Sequence, residues 1–190
     1  MSSAVDICNR ALSLIGNDIP ILSLEDNTKQ GKVCKEAYEP CLTTLLRSFP
    51  WSFAVHRYSL AATLLKPAFG EGLVFQVPSD CLRVFKPAER GCQYTVEGDK
   101  IISDSNPFNF YGIKYITDTT LFDSEFEKCL TYLIATEICM VMTTDSVLKN
   151  KLFQEYNFHL TRAKETSSMD RTGVRYNVHG FLDSREVGVF

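Results

Sequence analysis

The sequence predicts an α+β protein: a four-helix bundle with an inserted antiparallel β domain and an extended C-terminal arm. Three observations predict it. Apolar residues recur at helical spacing in two stretches before residue 50 and in two more after residue 120. Between them, from His56 to about Thr120, short β-favouring runs alternate with turn residues, and after Arg171 no periodicity remains. The organisation that follows is residues 1–55 for helices one and two, 56–120 for the β insertion, 121–170 for helices three and four, and 171–190 for the arm.

Ser3 followed by Asp6 forms a capping box with Asp in place of Glu, and Ala4, Cys8, Ala11, Leu12 and Ile15 continue at helical spacing to Gly16. The first helix therefore runs from about Ala4 to Ile15. Ile21, Leu22 and Leu24 are expected to pin a short connector, and Asp26 or Asn27 to cap a second helix from Thr28 to Ser48. Its apolar face holds Val33, Ala37, Cys41 and Leu45, flanked by Cys34, Tyr38 and Leu42. Pro40 lies inside it, and an interior proline loses a backbone hydrogen bond, so a kink or short break is expected near Glu39. The helix stops at Phe49-Pro50, and FPWSFA then crowds three large aromatics into a core plug.

In the insertion, Leu73 to Val77, Cys81 to Lys86, Gln93 to Val96, Lys100 to Ser103 and Gly112 to Ile116 read as strands, with VEGDKI the clearest hairpin. Asp123 with Ser124 caps a third, most apolar helix carrying Phe126, Leu130, Leu133, Ile134, Ile138, Val141 and Met142 on one face. Thr144-Asp145 ends it. A fourth helix follows, with Leu148, Leu152, Tyr156, His159 and Ala163 in a stripe that fades into TSSMDR. The remaining segment alternates Val174, Tyr176, Val178 and Phe181 with polar residues, too short for a core of its own yet too apolar for a solvating tail.

The chain has 190 residues, 45% hydrophobic and 23% charged, with a formal net charge of -3, the proportions of a folded globular protein. An acidic balance argues against a surface that grips nucleic acid, which needs clustered Lys and Arg. No run approaches the roughly 20 apolar residues of a membrane helix, and the opening residues lack a signal-peptide pattern, so no membrane segment and a cytoplasmic site of synthesis are expected. Cys8, Cys34, Cys41, Cys81, Cys92, Cys129 and Cys139 are odd in number, widely spaced and without a C-x-x-C pair, which predicts buried free thiols and no zinc site.

No phosphate cradle, dinucleotide fingerprint, zincin helix or hydrolase elbow occurs, so no catalytic group, cofactor or metal is assigned. His56 and His159 read as packing or surface residues, His159 at the edge of the fourth stripe. Asp80, Glu89, Asp99 and Asp104 fall in turns, where aspartate is favoured by its local backbone hydrogen bonds. Glu137 lies among apolar positions of the third helix, where a buried carboxylate needs a hydrogen bond or an intersubunit ion pair.

Four blocks, AVDICNRALSLIG, IPILSLEDNTKQGKVCKEAYEPCLTTLL, FPWSFA and VPSDCLRVF, together resemble the head-to-tail adaptor family of short-tailed bacteriophages, also called tail tubular protein A. The resemblance falls on Asn9, Leu12 and Tyr38, on the corner Pro50, Trp51, Phe53 and Ala54, and on the strand residues Pro78, Asp80, Cys81 and Arg83. It implies a structural virion protein and no enzyme. Such a protein forms a homo-oligomeric, dodecameric ring between the portal protein and the tail nozzle protein, with tail fibres as further partners. DNA passes through its channel without specific binding, and the chain is made in the host cytoplasm and ends in the virion tail. On that reading the arm docks on the portal, with Tyr176, Phe181, Leu182 and Phe190 as apolar anchors and Arg171, Arg175 and Arg185 for acidic or carbonyl partners. The alternatives are a glycan-degrading virion enzyme, which would bring turn carboxylates together in a cleft, and a monomeric host-factor binding module.

Overall fold

Helix α1 (Ala4–Leu14) starts at a reciprocal cap: the Asp6 N–H donates to Ser3 Oγ at 3.1 Å and the Ser3 N–H donates to Asp6 Oδ2 at 2.8 Å. The Ser3 N–H and the Ser3 hydroxyl, both donating to Asp6 Oδ2 at 2.8 Å, hold the Asp6 carboxyl below its ordinary range. The computed structural model describes residues 2–171. Arg175, Tyr176, Phe181, Leu182, Arg185 and Phe190, with the rest of the expected arm, lie outside the described residues, and Arg171, expected to open the arm, is still helical.

From α1, Asn9 brackets the connector: its Nδ2 donates to the Ile21 carbonyl at 3.0 Å and its Oδ1 accepts the Ile21 N–H at 2.8 Å. Ile21 is thereby buried, whereas Leu22, expected to pin the same segment, is 88% exposed. Thr28 caps α2 (Lys29–Ser48) by accepting the Gly31 N–H at 3.1 Å. Asp26 cannot, because its carboxylate already accepts the N–H groups of Leu22 and Ser23. The close approach of the Asp26 carbonyl also explains Gly31, where a Cβ would collide with it.

α2 runs unbroken through Pro40. Pro40 and Glu36 are both exposed, so the carbonyl deprived of its partner lies on the wet side, while Cys34, Tyr38, Cys41, Leu42, Leu45 and Leu46 hold the other side in the core. Val33 and Ala37, expected at the centre of the buried face, are only half-buried.

The chain then forms β1 (Val55–Leu60), β2 (Leu73–Gln76), β3 (Cys81–Pro87), β4 (Tyr94–Glu97), β5 (Lys100–Ser103) and β6 (Phe108–Lys114). They make two antiparallel three-stranded sheets, ordered β1-β6-β3 and β2-β5-β4. β4 and β5 are the expected hairpin, turning at Gly98 with φ +61. β1 has no counterpart in the strand reading of the sequence: VHRYSL lacks a clean alternation and is paired with β6 through long-range register, Val55 opposite Ile113 and Leu60 opposite Phe108. Phe75, Ile101, Phe108 and Phe110 form a small core between the sheets, while Ile113 at the other end of β6 belongs to the larger helical core.

Helix α3 (Ser124–Met142) is capped by Asp123, which accepts the Phe126 N–H at 2.7 Å. It packs against α1, α2 and α4 (Ser146–Arg171), so its burial extends around the helix to Cys129, Thr131, Ala135, Thr136 and Cys139. Glu137 is exposed rather than buried, and Val141 is 55% exposed, because α3 presents that edge to a groove beside α2. Thr144, at φ +57, turns the chain into α4, whose stripe of Leu152, Tyr156 and Ala163 continues to fully buried Ser167 instead of fading.

At Gly112 an added Cβ would stand 2.8 Å from Cys81 Sγ and 2.9 Å from the Tyr58 ring. Gly112→Ala is therefore expected to lower stability by about 1–3 kcal/mol, read as a lower denaturation midpoint in urea with an unchanged slope.

Candidate functional site

The eight corner and strand residues that carry the resemblance converge on the junction between the helices and the sheets. Pro50 and Trp51 follow directly on α2, and Trp51 is fully buried, with Nε1 donating to the Leu45 carbonyl at 2.8 Å. That carbonyl, in the last turn of α2, also accepts from Ser48 Oγ at 2.7 Å, so two side chains satisfy it in place of a backbone N–H. The Trp51 ring meets Phe126 of α3 edge-on at 5.0 Å, and Phe53 meets the same ring edge-on at 4.9 Å. Ala54 is buried, and its carbonyl accepts the Lys114 N–H at 2.8 Å, tying the corner to β6. From the far side, Ser167 of α4 accepts the Ser52 N–H at 2.8 Å.

Pro78, Asp80, Cys81 and Arg83 close the junction from β3. The Pro78 carbonyl accepts the Cys81 N–H at 2.9 Å, and the Asp80 carbonyl accepts the Tyr115 N–H at 2.7 Å. The Asp80 carboxylate lies 3.5 Å from Lys114 Nζ. Arg83 donates to the Arg47 carbonyl at 3.0 Å, a cation placed at the negative end of α2. Burial, with the Asp80 charge as a smaller contribution, pushes the neighbouring Tyr58 hydroxyl up. Most polar atoms named here tie the β module to the helical one, while the Tyr58 hydroxyl is buried with no hydrogen-bond partner among the described residues.

Two of the four turn carboxylates, Glu89 and Asp104, share one open cavity, and the other two lie elsewhere. Asp80 belongs to the junction, Asp99 accepts from Gln76 Nε2 at 3.0 Å, and Glu89 and Asp104 line a shallow cavity of about 450 Å³ on the sheet whose order is β2-β5-β4. The Gln76 bond holds the Asp99 carboxyl below its ordinary range. His56 is exposed against the Tyr58 ring, and His159 stacks on Tyr132 at 5.0 Å with Nδ1 3.6 Å from Glu125 Oε2. Between α1 and α3 an open cavity of about 570 Å³ contains Arg10, whose guanidinium is already engaged by Ser2 and Glu127. Among the described residues no group of three or more His, Cys, Asp or Glu side chains is placed to hold a metal ion, and no helix is long and apolar enough to cross a membrane.

Two surface features escape the sequence reading: the exposed apolar residues Leu64, Leu65 and Phe69 between β1 and β2, and the groove between α2 and α3. The run LLKPAF, apolar yet interrupted by Pro67 and ended by Gly70, is the one signal of the first; the second exists only once two distant helices are side by side. Comparison of the chain with protein-family models and with curated proteins finds no match.

Two outcomes are expected. Trp51→Ala removes a buried indole, its hydrogen bond and its contact with Phe126, and should cost about 3–5 kcal/mol in chemical denaturation. Five thiols, Cys8, Cys34, Cys41, Cys129 and Cys139, are buried, and burial pushes those of Cys41 and Cys129 up to about 12. A colorimetric thiol reagent at pH 8 should therefore label Cys81 and Cys92 in the folded protein and the other five only after denaturation; rapid labelling of all seven would contradict this packing.

Proposed function

We propose that this chain is the head-to-tail adaptor of a short-tailed bacteriophage. Its four helices act as the bundle that forms the body of a dodecameric ring between the portal and the tail nozzle, with the DNA channel at its centre and the C-terminal arm as the portal-docking element. The observation that carries this reading is the junction itself. Pro50, Trp51, Phe53, Ala54, Pro78, Asp80, Cys81 and Arg83 were grouped by resemblance alone, and they meet at one place, where a β module is fixed to a helical module. A stiff coupling of that kind suits a subunit that transmits position through an assembly, and a ring contact needs each subunit to offer two different complementary faces.

The acidic balance supports a channel wall along which DNA slides without being gripped. Ordering the 19 residues 172–190 on a partner costs on the order of 20 kcal/mol or more in conformational entropy, so the arm requires extensive burial of Tyr176, Phe181, Leu182 and Phe190 against the portal.

The test is co-sedimentation of the purified chain with the portal ring of the same phage, followed by negative-stain imaging. A ring of added density below the portal, lost on truncation before Thr172, is the expected result. A chain that remains monomeric and unbound across salt and pH overturns the adaptor reading, and unchanged binding after truncation overturns the role of the arm.

A further inference from the structure

Two apolar surface features of opposite shape lie outside the junction. The first is a finger, residues 61–72, between β1 and β2. It is shaped rather than slack at its base: the Thr63 N–H and Oγ1 both donate to the Val74 carbonyl, at 2.8 and 2.9 Å, and Gly70 and Gly72 return the chain with φ of +82 and +123. Its tip presents Leu64, Leu65 and Phe69 at 103%, 55% and 90% exposure. Lys66 is the single charge at the tip, within residues 61–70, and has no ion pair among the described residues, while an exposed Glu71 stands at the base of the finger between Gly70 and Gly72.

The second is a groove of about 410 Å³ between α2 and α3, walled by Val33, Ala37, Pro40, Ile138 and Val141. On its rim stand two exposed carboxylates, Glu36 and Glu137, neither of which has an ion pair among the described residues, and at one end Lys29 Nζ donates to the Val141 carbonyl at 3.1 Å. Pro40 is a costly residue in the middle of a helix, and here it supplies a rigid apolar wall at a position where the neighbouring side chains are charged.

The finger of a chain does not occupy its own groove: Leu64 and Phe69 are almost fully exposed. Val55 pairs with Ile113 beside the helical core, and β1 then runs six residues outward to Leu60, about 17 Å away, before the finger begins. β2 enters the finger at Leu73, the end opposite Gln76 and the adjoining β4-β5 turn, and that turn lines a cavity together with Arg47 at the end of α2. Leu64 and Leu65 follow the anchored Thr63 by one and two residues, a reach of about 7 Å at most. The groove begins at Thr44 and extends along α2 away from the sheets.

We propose that the finger of one copy of this chain seats in the α2–α3 groove of the next copy, with Leu65 and Phe69 against the apolar walls and Lys66 between Glu36 and Glu137. The inference rests on the ring reading and names the two faces of its subunit contact. An apolar tip carrying Lys66 meets an apolar groove whose rim carries Glu36 and Glu137 against a single Lys29 at one end, an opposite balance of charge. Because knob and groove are different surfaces, repeating the contact from copy to copy is heterologous and closes into a ring where the rotation allows.

The full chain is assembled on the portal ring as wild type, as Lys66→Glu, and as the double variant Glu36→Lys with Glu137→Lys, each with its thermal midpoint measured. The assembled fraction is expected to fall roughly tenfold or more for either variant alone. It should recover in an equimolar mixture of the two, where every finger again meets a groove of opposite charge. Phe69→Ser should lose assembly without rescue by mixing. Variants that assemble as the wild type does, or a mixture of folded variants that stays unassembled, overturn the inference while leaving the ring reading intact. Absence of a wild-type ring overturns both.

Discussion

Trp51 is the interaction on which the rest depends. It stands where α2 ends, so its Nε1–H bond to Leu45 finishes that helix, and its ring rests on Phe126 in the first turn of α3. Residues 75 positions apart in the chain are thereby held edge to face, and the whole β module is the loop between them. Closing so long a loop is entropically costly but only slowly dependent on its length, which is why an insertion of this size is tolerated once both ends are fixed. Aromatic contacts of this kind contribute about 0.5–1.5 kcal/mol beyond area burial, and Phe53 and Phe122 add two more on the same Phe126 ring.

From that corner the two cores are organised in series. α3 is the shared wall of the helices, and its two buried threonines satisfy their hydroxyls on the preceding turn, Thr131 on Glu127 and Thr136 on Tyr132, so burial leaves neither unpaired. β6 links the cores by contributing Ile113 to the helices and Phe108 and Phe110 to the sheets. Seven residues of strand therefore report the position of one module to the other. Gly112 lies between the two sets, where the approach of Cys81 and Tyr58 leaves no room for a side chain.

Away from that coupling, Glu89 and Asp104 share one open cavity while Asp80 and Asp99 lie in the junction and a hairpin, and large apolar side chains such as Phe69, Phe153 and Phe158 face outward. Exposed apolar groups gathered on protruding loops and grooves mark contact surfaces more than reaction sites. The proposed ring subunit would use this surface through the finger and the α2–α3 groove.

The local features were legible in the sequence because each is set by neighbours a few residues apart. Ser3 and Asp6 made their cap, Glu97 to Lys100 made their hairpin, Asp123 opened α3, and the Trp51 plug was buried. The sequence also placed His159 at the edge of the α4 stripe, where it stacks on Tyr132. Part of what it misread was local: Thr28 rather than Asp26 capped α2 because the Asp26 carboxylate is taken by the N–H groups of Leu22 and Ser23, three and four residues back. The rest depended on partners far along the chain: Glu137 was exposed because α3 presents that edge to the groove beside α2. β1 existed only through its pairing with β6, some fifty residues on. Hydrogen bonds within a turn and the 3.6-residue period are written into adjacent residues, whereas strand register, helix adjacency and the grooves between helices come from packing free energy summed over the whole chain, and only the tertiary structure decides them.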